Sequence, residues 1–245
     1  MAAEPDRAKL TVMILSVSSE RGSFISFEGL DGCGKSTQIE RLASKLREQK
    51  LRVIVTREPG GTAAGESIRK LLLDTKTSGL NPWAEMALMF ASRAQHLKEI
   101  ILPALAAGSI VLCDRFTDST AAYQGAGRGL GTSAVLALHR ILCGDLWPDL
   151  TILMDSDLTA SVERARRRNQ GRVGAESCDE NRFELENREF FSRVHQAYLE
   201  IAKREPERVV VVNARGSPDE TQQKILAIVS QKLSQPTSGK AQHGN

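Results

Sequence analysis

Nothing in the 245 residues is apolar for long enough to cross a bilayer: the stretch from Leu10 to Val17 is broken by Thr11 and Ser16 and falls far short of a span. Charge of one sign is also lacking. A formal net charge of +3 is too small to imply nucleic-acid binding, so any electrostatic recognition must come from where the arginines cluster. Cysteine is sparse, with Cys33, Cys113, Cys143 and Cys178 widely spaced and no C-x-x-C pair. That spacing suggests neither a zinc site nor a disulfide framework and fits a reducing cytosol, so the expected location is cytoplasmic. Met1 to Arg7 carries two acids and one base, unlike a basic leader or an arginine-rich transit peptide. Internal repeats and low-complexity blocks are absent too. What is present, 41% apolar and 26% charged residues, is enough for one sizeable core without a second domain.

Short apolar runs alternate with longer segments of helical period, the pattern of an α/β fold with a five-stranded parallel sheet covered by helices on both faces. The expected strands are Phe24–Phe27, Val53–Thr56, Ser109–Cys113, Leu150–Met154 and Val209–Val212. Ile39, Leu42 and Leu46 mark one helix face after the first strand, and Met86, Phe90 and Leu97 mark a long helix before the third. Further helices are expected over Ser133–Leu142, Leu158–Arg167, Glu184–Lys203 and Pro218–Leu233. One domain is expected over residues 23–234. Residues 1–22 read as an N-terminal extension, a candidate for disorder or the product of a start codon placed too early. Residues 235–245, polar and without apolar period, read as a disordered tail.

After the first strand comes Gly29-Leu30-Asp31-Gly32-Cys33-Gly34-Lys35-Ser36, followed by Thr37 and a helix-forming segment. This is a complete G-x-x-x-x-G-K-S in the context the motif demands, and it predicts a P-loop that binds the phosphates of ATP or GTP. The glycines let backbone N–H groups converge on phosphate oxygens, the helix N-terminus adds partial positive charge, and Lys35 reaches the transferable phosphate. Ser36 would hold Mg²⁺ through its hydroxyl. No Asn-Lys-x-Asp guanine-reading element occurs, which argues against a GTPase switch. A small-molecule kinase needs a second anionic site built from arginines.

Two segments offer one at the carboxyl ends of strands, where open α/β sheets bind ligands: Thr56-Arg57-Glu58-Pro59-Gly60-Gly61-Thr62 and Asp114-Arg115-Phe116. Together with Phe90-Ala91-Ser92-Arg93-Ala94-Gln95-His96 and Thr120-Ala121-Ala122-Tyr123-Gln124-Gly125, they closely resemble the thymidylate kinase family, in the family's order, from about Phe24 to Val212. The resemblance implies transfer of the γ-phosphate of ATP-Mg to dTMP, giving dTDP for dTTP synthesis, with no nucleic-acid or membrane partner. It implies that Arg57 and Arg115 grip the acceptor phosphate, where guanidinium forks neutralise repulsion and hold two anions in line. Asp114 looks like the acid near Mg²⁺, with a strand-end turn residue as the alternative, and Asp31 like the carboxylate that reaches the deoxyribose 3′-hydroxyl. Arg93 and Thr120 look like the contacts to thymine, and Tyr123 like the aromatic that crowds the sugar's 2′ position, with Gln124 beside it. The family's usual stacking aromatic falls at Met89 here, so Phe90 either reaches the base from the same helix face or serves as core. A homodimer is implied by the resemblance alone.

Glu163-Arg164-Ala165-Arg166-Arg167-Arg168 runs into a loop rich in Gly, Ser and charge. The P-loop supplies no arginine between Asp31 and Gly34, and family members without one resemble the bacterial type, in which lid arginines provide catalytic cations. Arg164, Arg166 and Arg168 match that lid, placed at about residues 164–183, and Arg172 is a further candidate; a solvated charged helix face is the alternative. His96, His139 and His195 lack a partner at metal-ligand spacing and read as packing or surface residues, and Trp83 and Trp147 as anchors. Cys33, beside a helix N-terminus, is expected to be an acidic thiol that alkylates unless ATP protects it. The competing readings are a nucleoside monophosphate kinase for another base and a nucleotide-binding regulator without turnover.

Overall fold

All five expected strands join one parallel sheet, in the order β2-β3-β1-β4-β5. The structure, a computed structural model, describes residues 21–170 and 182–234, without the side chains of Arg166, Arg168, Asn169, Gln170 and Glu184. The strands are β1 (Phe24–Glu28), β2 (Val53–Arg57), β3 (Ile110–Asp114), β4 (Leu150–Asp155) and β5 (Val209–Asn213). Each runs one residue beyond its expected end, and the added residues are Glu28, Arg57, Asp114, Asp155 and Asn213. Hydropathy stops where the apolar run stops, but the hydrogen-bond ladder continues: Arg57 is in register with Asp114, Phe27 with Asp114, and Asp155 with Asn213. The carboxyl edge of the sheet therefore carries a row of polar residues. β1 lies centrally, between β3 and β4, so the loop that follows it opens where the strand order reverses.

Helix α1 (Lys35–Glu48) buries Ile39, Leu42 and Leu46, as their spacing predicts. Helix α2 (Ala63–Leu73) is not evident from the sequence. It buries only Gly65 and Leu72 and so shows little apolar stripe, but the Thr62 hydroxyl caps it by accepting from Gly65 N at 3.0 Å. Helix α3 (Pro82–His96) starts on an Asn81 cap and runs through a wider turn, Leu97–Ile101, into α4 (Leu102–Ala106). After β3, α5 (Thr117–Thr120) passes into a π-helical segment, Ala121–Gly127. Then follow α6 (Thr132–Cys143), α7 (Leu158–Gln170), α8 (Arg188–Arg204) and α9 (Pro218–Ser234). The helix expected from Glu184 begins later, because Asn187 accepts from Phe190 N at 2.8 Å and starts a new helix after the separate turn Phe183–Leu185.

Two apolar clusters sandwich the sheet. Ile25 and Phe27 pack with Leu42, Ile225 and Val229 on the side of α1 and α9, and Phe90, Tyr123, Phe190, Val194 and Tyr198 gather on the other. Trp83 is no anchor: it is 56% exposed on α3. Trp147 does pack, with its ring 4.0 Å from that of His139. Gly22 N donates to the Leu105 carbonyl at 2.8 Å, so the fold reaches back before the expected start at residue 23. Residues 1–20 of the expected extension, residues 171–181 of the expected lid, with Arg172 and Cys178, and residues 235–245 of the expected tail lie outside the described residues. Among the described residues, no helix is long and apolar enough to cross a membrane.

Candidate active site

The phosphate loop joins β1 to α1. Gly34 caps α1 with φ 98°, a left-handed conformation that favours glycine. Gly32, at φ 77°, has the Ser161 carbonyl 2.2 Å from where a Cβ would stand, so the loop backbone touches α7. Arg164, three residues along α7, donates from Nε to the Gly32 carbonyl at 2.8 Å and from Nη2 to Ser161 Oγ at 3.0 Å. Arg164, the first arginine of the expected lid, thus rests on the phosphate loop; the side chains of Arg166 and Arg168 lie outside the described residues. Lys35 is buried, with Nζ donating to the Gly29 and Leu30 carbonyls at 3.1 and 3.0 Å. Thr37 is exposed on the first turn of α1. Cys33 is only 5% exposed and belongs to the apolar cluster beneath the sheet. The expectation of an accessible thiol is corrected by that burial.

Arg115 joins the loop directly. Its Nη2 donates to Asp31 Oδ1 at 2.9 Å and to the Tyr123 hydroxyl at 3.3 Å, and Tyr123 donates to Asp31 Oδ2 at 3.2 Å. Asp31 forms one cluster with Arg115 and Tyr123, from which it is more than eighty residues away. Burial works against the charge on Arg115, but Asp31, together with Tyr123, Tyr198 and Asp114, outweighs it and holds the guanidinium protonated. Arg57 shares the sheet edge, in register with Asp114, but its side chain turns to Glu66 of α2 at 3.0 Å and is half exposed.

Arg93 lies deeper. Buried at 2% exposure, it donates from Nε to Glu58 at 2.6 Å and from Nη2 to Thr120 Oγ1 at 2.9 Å. The rings of Phe90 and Phe116 lie 4.7 and 5.0 Å from its guanidinium carbon. Phe90 has no exposed surface, whereas Met89 is partly buried. Arg93 Nη1 is buried without a partner, a donor left free beside Thr120. Gln124 is turned away, donating to Glu85 at 2.7 Å. Burial opposes ionisation of Glu58, but Arg93 and His96 outweigh it and hold the carboxyl below its ordinary value.

His96, expected to be a packing residue, also bonds Glu58 at 2.9 Å and Thr56 at 2.6 Å. With Cys113 it forms a trio whose donor atoms lie within 4.8 Å of one another, a grouping that spacing along the chain does not reveal. The chemistry does not suit a metal ion. Burial, with Glu58 and Asp114 nearby, pushes the Cys113 thiol well up, the thiol donates to the Arg115 carbonyl at 3.1 Å, and Arg93 already occupies Glu58. Ser36 and Asp114 fit one better. Ser36 Oγ donates to Asp114 Oδ2 at 3.1 Å, and Asp114 Oδ1 is buried without a partner. Two hard oxygens beside the phosphate loop are the donor type Mg²⁺ prefers.

A family model described as thymidylate kinase matches residues 27–225. The chain belongs to the thymidylate kinase family. It is 47% identical over 217 residues to the thymidylate kinase of Pelobacter propionicus, covering 89% of this chain and 98% of that one. The thymidylate kinase of Pseudomonas fluorescens is also 47% identical, over 86% of this chain and 97% of that one. The crystal structure of thymidylate kinase from Ehrlichia chaffeensis superposes with a TM-score of 0.68 at 33% identity, covering 85% of this chain and 99% of that chain. The thymidylate kinase reaction is phosphorylation of dTMP by ATP. For a thymidylate kinase the sheet edge is well stocked, and part of it went unnoticed in the sequence. Glu58 stands inside the Arg57–Thr62 segment, but nothing in its spacing reveals an acid shared by Arg93 and His96. Glu28, Ser119 and Tyr198 gather around Arg115; the only signal for Glu28 is an acid closing an otherwise apolar strand.

Proposed function

We propose that the two anion-binding elements of this sheet edge carry phosphoryl transfer from ATP to dTMP by direct in-line displacement, without a phosphorylated enzyme. The observation that carries this reading is the 2.9 Å bond from Arg115 to Asp31, which brings an acceptor-side guanidinium onto the phosphate loop itself. Backbone N–H groups of Gly29–Gly34 and the Lys35 ammonium bind the ATP phosphates, with Thr37 at the rim. Arg115 and Arg57 hold the dTMP phosphate. Arg57 exchanges Glu66 for the substrate, an exposed pair that costs little to break. Neutralised repulsion and fixed geometry then supply most of the catalysis. Mg²⁺, held by Ser36 and Asp114, would supply further positive charge to the phosphates of ATP.

Arg93 Nη1 and Thr120 read the thymine edge, and the Asp31–Tyr123 pair reads the sugar and excludes a 2′-hydroxyl. Phe90 acts from beneath, holding Arg93 in place. Arg164 orders the lid helix over the loop, and Arg166 and Arg168 bring cations to the transferring phosphate. The site works in the cytoplasm, a reducing compartment that the sparse, widely spaced cysteines fit. On α3, Trp83, Ala87 and Ala91 expose an apolar row at four-residue spacing, and α6, which packs against α3, exposes Leu136 and Ile141. We assign this face to a second copy of the chain, and light scattering after size exclusion reads the dimer.

A coupled assay with ATP and Mg²⁺ across dTMP, dUMP, UMP, CMP and AMP tests the substrate reading. Turnover should be fastest with dTMP. Preference for a ribonucleotide would overturn the roles given to Tyr123 and Arg93, and ATP binding without turnover on any acceptor would overturn the mechanism.

A further inference from the structure

Arg115 holds a backbone conformation that residues with a Cβ avoid, φ 72°, directly after β3. Three bonds pin it. Arg115 N donates to the Phe27 carbonyl at 2.9 Å, Cys113 Sγ donates to the Arg115 carbonyl at 3.1 Å, and Phe116 N donates to Glu28 Oε1 at 2.7 Å. The other oxygen of Glu28 accepts from the hydroxyls of Ser119 and Tyr198. Those same hydroxyl oxygens accept from Arg115 Nη1 at 3.0 and 3.1 Å. The two hydroxyl oxygens also lie 2.8 Å from each other, so one proton can pass between them; when both protons turn to Glu28, both oxygens are open to the guanidinium. When Glu28 is ionised, it and Arg115 are therefore an ion pair bridged by two hydroxyls, one from α5 and one from α8.

We propose that Glu28 is a positioning residue for the phosphoryl transfer: through Ser119, Tyr198 and the Phe116 N–H it sets the orientation in which Arg115 meets the acceptor phosphate. This rests on the reading of Arg115 as a ligand of that phosphate. The bridge is complete only with the ionised carboxylate, whose one oxygen accepts from both hydroxyls; a protonated Glu28 carries a proton of its own that competes for those oxygens. Burial pushes Glu28 up to about 7, Asp118 of α5 adds to the rise, and Ser119, Arg115 and the Phe116 N–H oppose it. Asp118 is itself held by Arg208, at 2.7 and 2.9 Å. Tyr198 of α8 and Cys113 of β3 are both pushed up by burial and stay neutral, which leaves Arg115 and Asp118 as the charges facing Glu28.

The test is steady-state kinetics of the full chain across mildly acidic to mildly alkaline pH, with KM for dTMP and for ATP measured separately. Variants are Glu28→Gln, Tyr198→Phe, Arg115→Ala and the double variant Arg115→Ala with Tyr198→Phe. Glu28→Gln and Tyr198→Phe should each raise KM for dTMP by about tenfold, the scale of one charge-assisted hydrogen bond, with KM for ATP nearly unchanged. Tyr198→Phe removes a donor to the ionised carboxylate, so its acid limb moves to higher pH, while Glu28→Gln keeps only the substrate's own titration. With Arg115 already replaced, Tyr198→Phe should add nothing further. Equal rises in both KM values, an unmoved acid limb, or additive effects in the double variant would overturn the positioning role. If Arg115→Ala alone leaves KM for dTMP unchanged, the reading of Arg115 fails and the positioning role with it. Should Glu28→Gln not fold, Tyr198→Phe, which keeps the ring and its volume, decides the matter.

Discussion

Replacing Glu58 by Gln should destabilise the protein and spoil thymine recognition at once. Glu58 and Arg93 are 4% and 2% exposed and meet at 2.6 Å. The guanidinium keeps its charge whatever happens to its partner, so the substitution leaves a buried cation with no counter-charge beside it, only a neutral amide, the Thr120 hydroxyl and two aromatic rings. Removing one member of a buried pair costs about 3–5 kcal/mol; a neutral amide that still accepts one hydrogen bond puts the cost near the lower end, about 3 kcal/mol. On a domain of this size that corresponds to a fall in Tm of roughly 6–12 °C. Circular dichroism during heating at neutral pH reads the shift, and dTMP titration reads affinity, which should fall because Arg93 is no longer held. Adding Arg93→Met should recover most of the lost stability while leaving dTMP affinity low, since an apolar side chain removes the unpaired charge and with it the donor. A fall in Tm below about 2 °C, or no recovery in the double variant, would refute the reasoning from burial. The wild-type pair should also weaken in acid. Glu58 is held below its unfolded value of 4.5, so its contribution is present above that pH and is lost as pH falls through the folded pKa.

Arg57→Ala should raise KM for dTMP and slow turnover while leaving ATP affinity nearly intact, because the residue it releases is the exposed Glu66 of α2; unchanged kinetics would remove Arg57 from the acceptor site. Cys33 should react slowly with alkylating agents, at similar rates with and without ATP-Mg, because 5% exposure hides the sulfur; rapid modification blocked by ATP would show the loop opening far more than its packing implies. Glu28 carries the opposite linkage to Glu58. Its folded value of about 7 lies above the ordinary 4.5, so between those values the folded chain binds the extra proton and the stability owed to Glu28 declines as pH rises. The Tm of wild type relative to Glu28→Gln should therefore be higher at the acid end of that window than above it, and a constant difference would refute the shift.

Reading the chain by hydropathy found the five strands but stopped each one residue early, at the point where the last ladder position turns polar. That residue is Glu28, Arg57, Asp114, Asp155 or Asn213, and three of these, Glu28, Arg57 and Asp114, enter the proposed site. Helix α2 stayed hidden because it lies on the surface and buries too little to show a period. Trp83 shows the converse: a large apolar side chain predicts an anchor, yet it stands exposed.

The sequence by itself determined the parallel α/β plan, the phosphate loop and the identities of most residues placed in the site, because strand runs, helical periods and a contiguous G-x-x-x-x-G-K-S are local properties of a chain. Only tertiary structure decided which of those residues meet. That Arg115 lies on Asp31, that Arg93 is neutralised by Glu58, that Cys33 is buried and that Ser119 and Tyr198 bridge Glu28 to Arg115 all depend on groups many residues apart. Burial and charge pairing between distant segments are sums over the whole fold, and no window along the chain contains them.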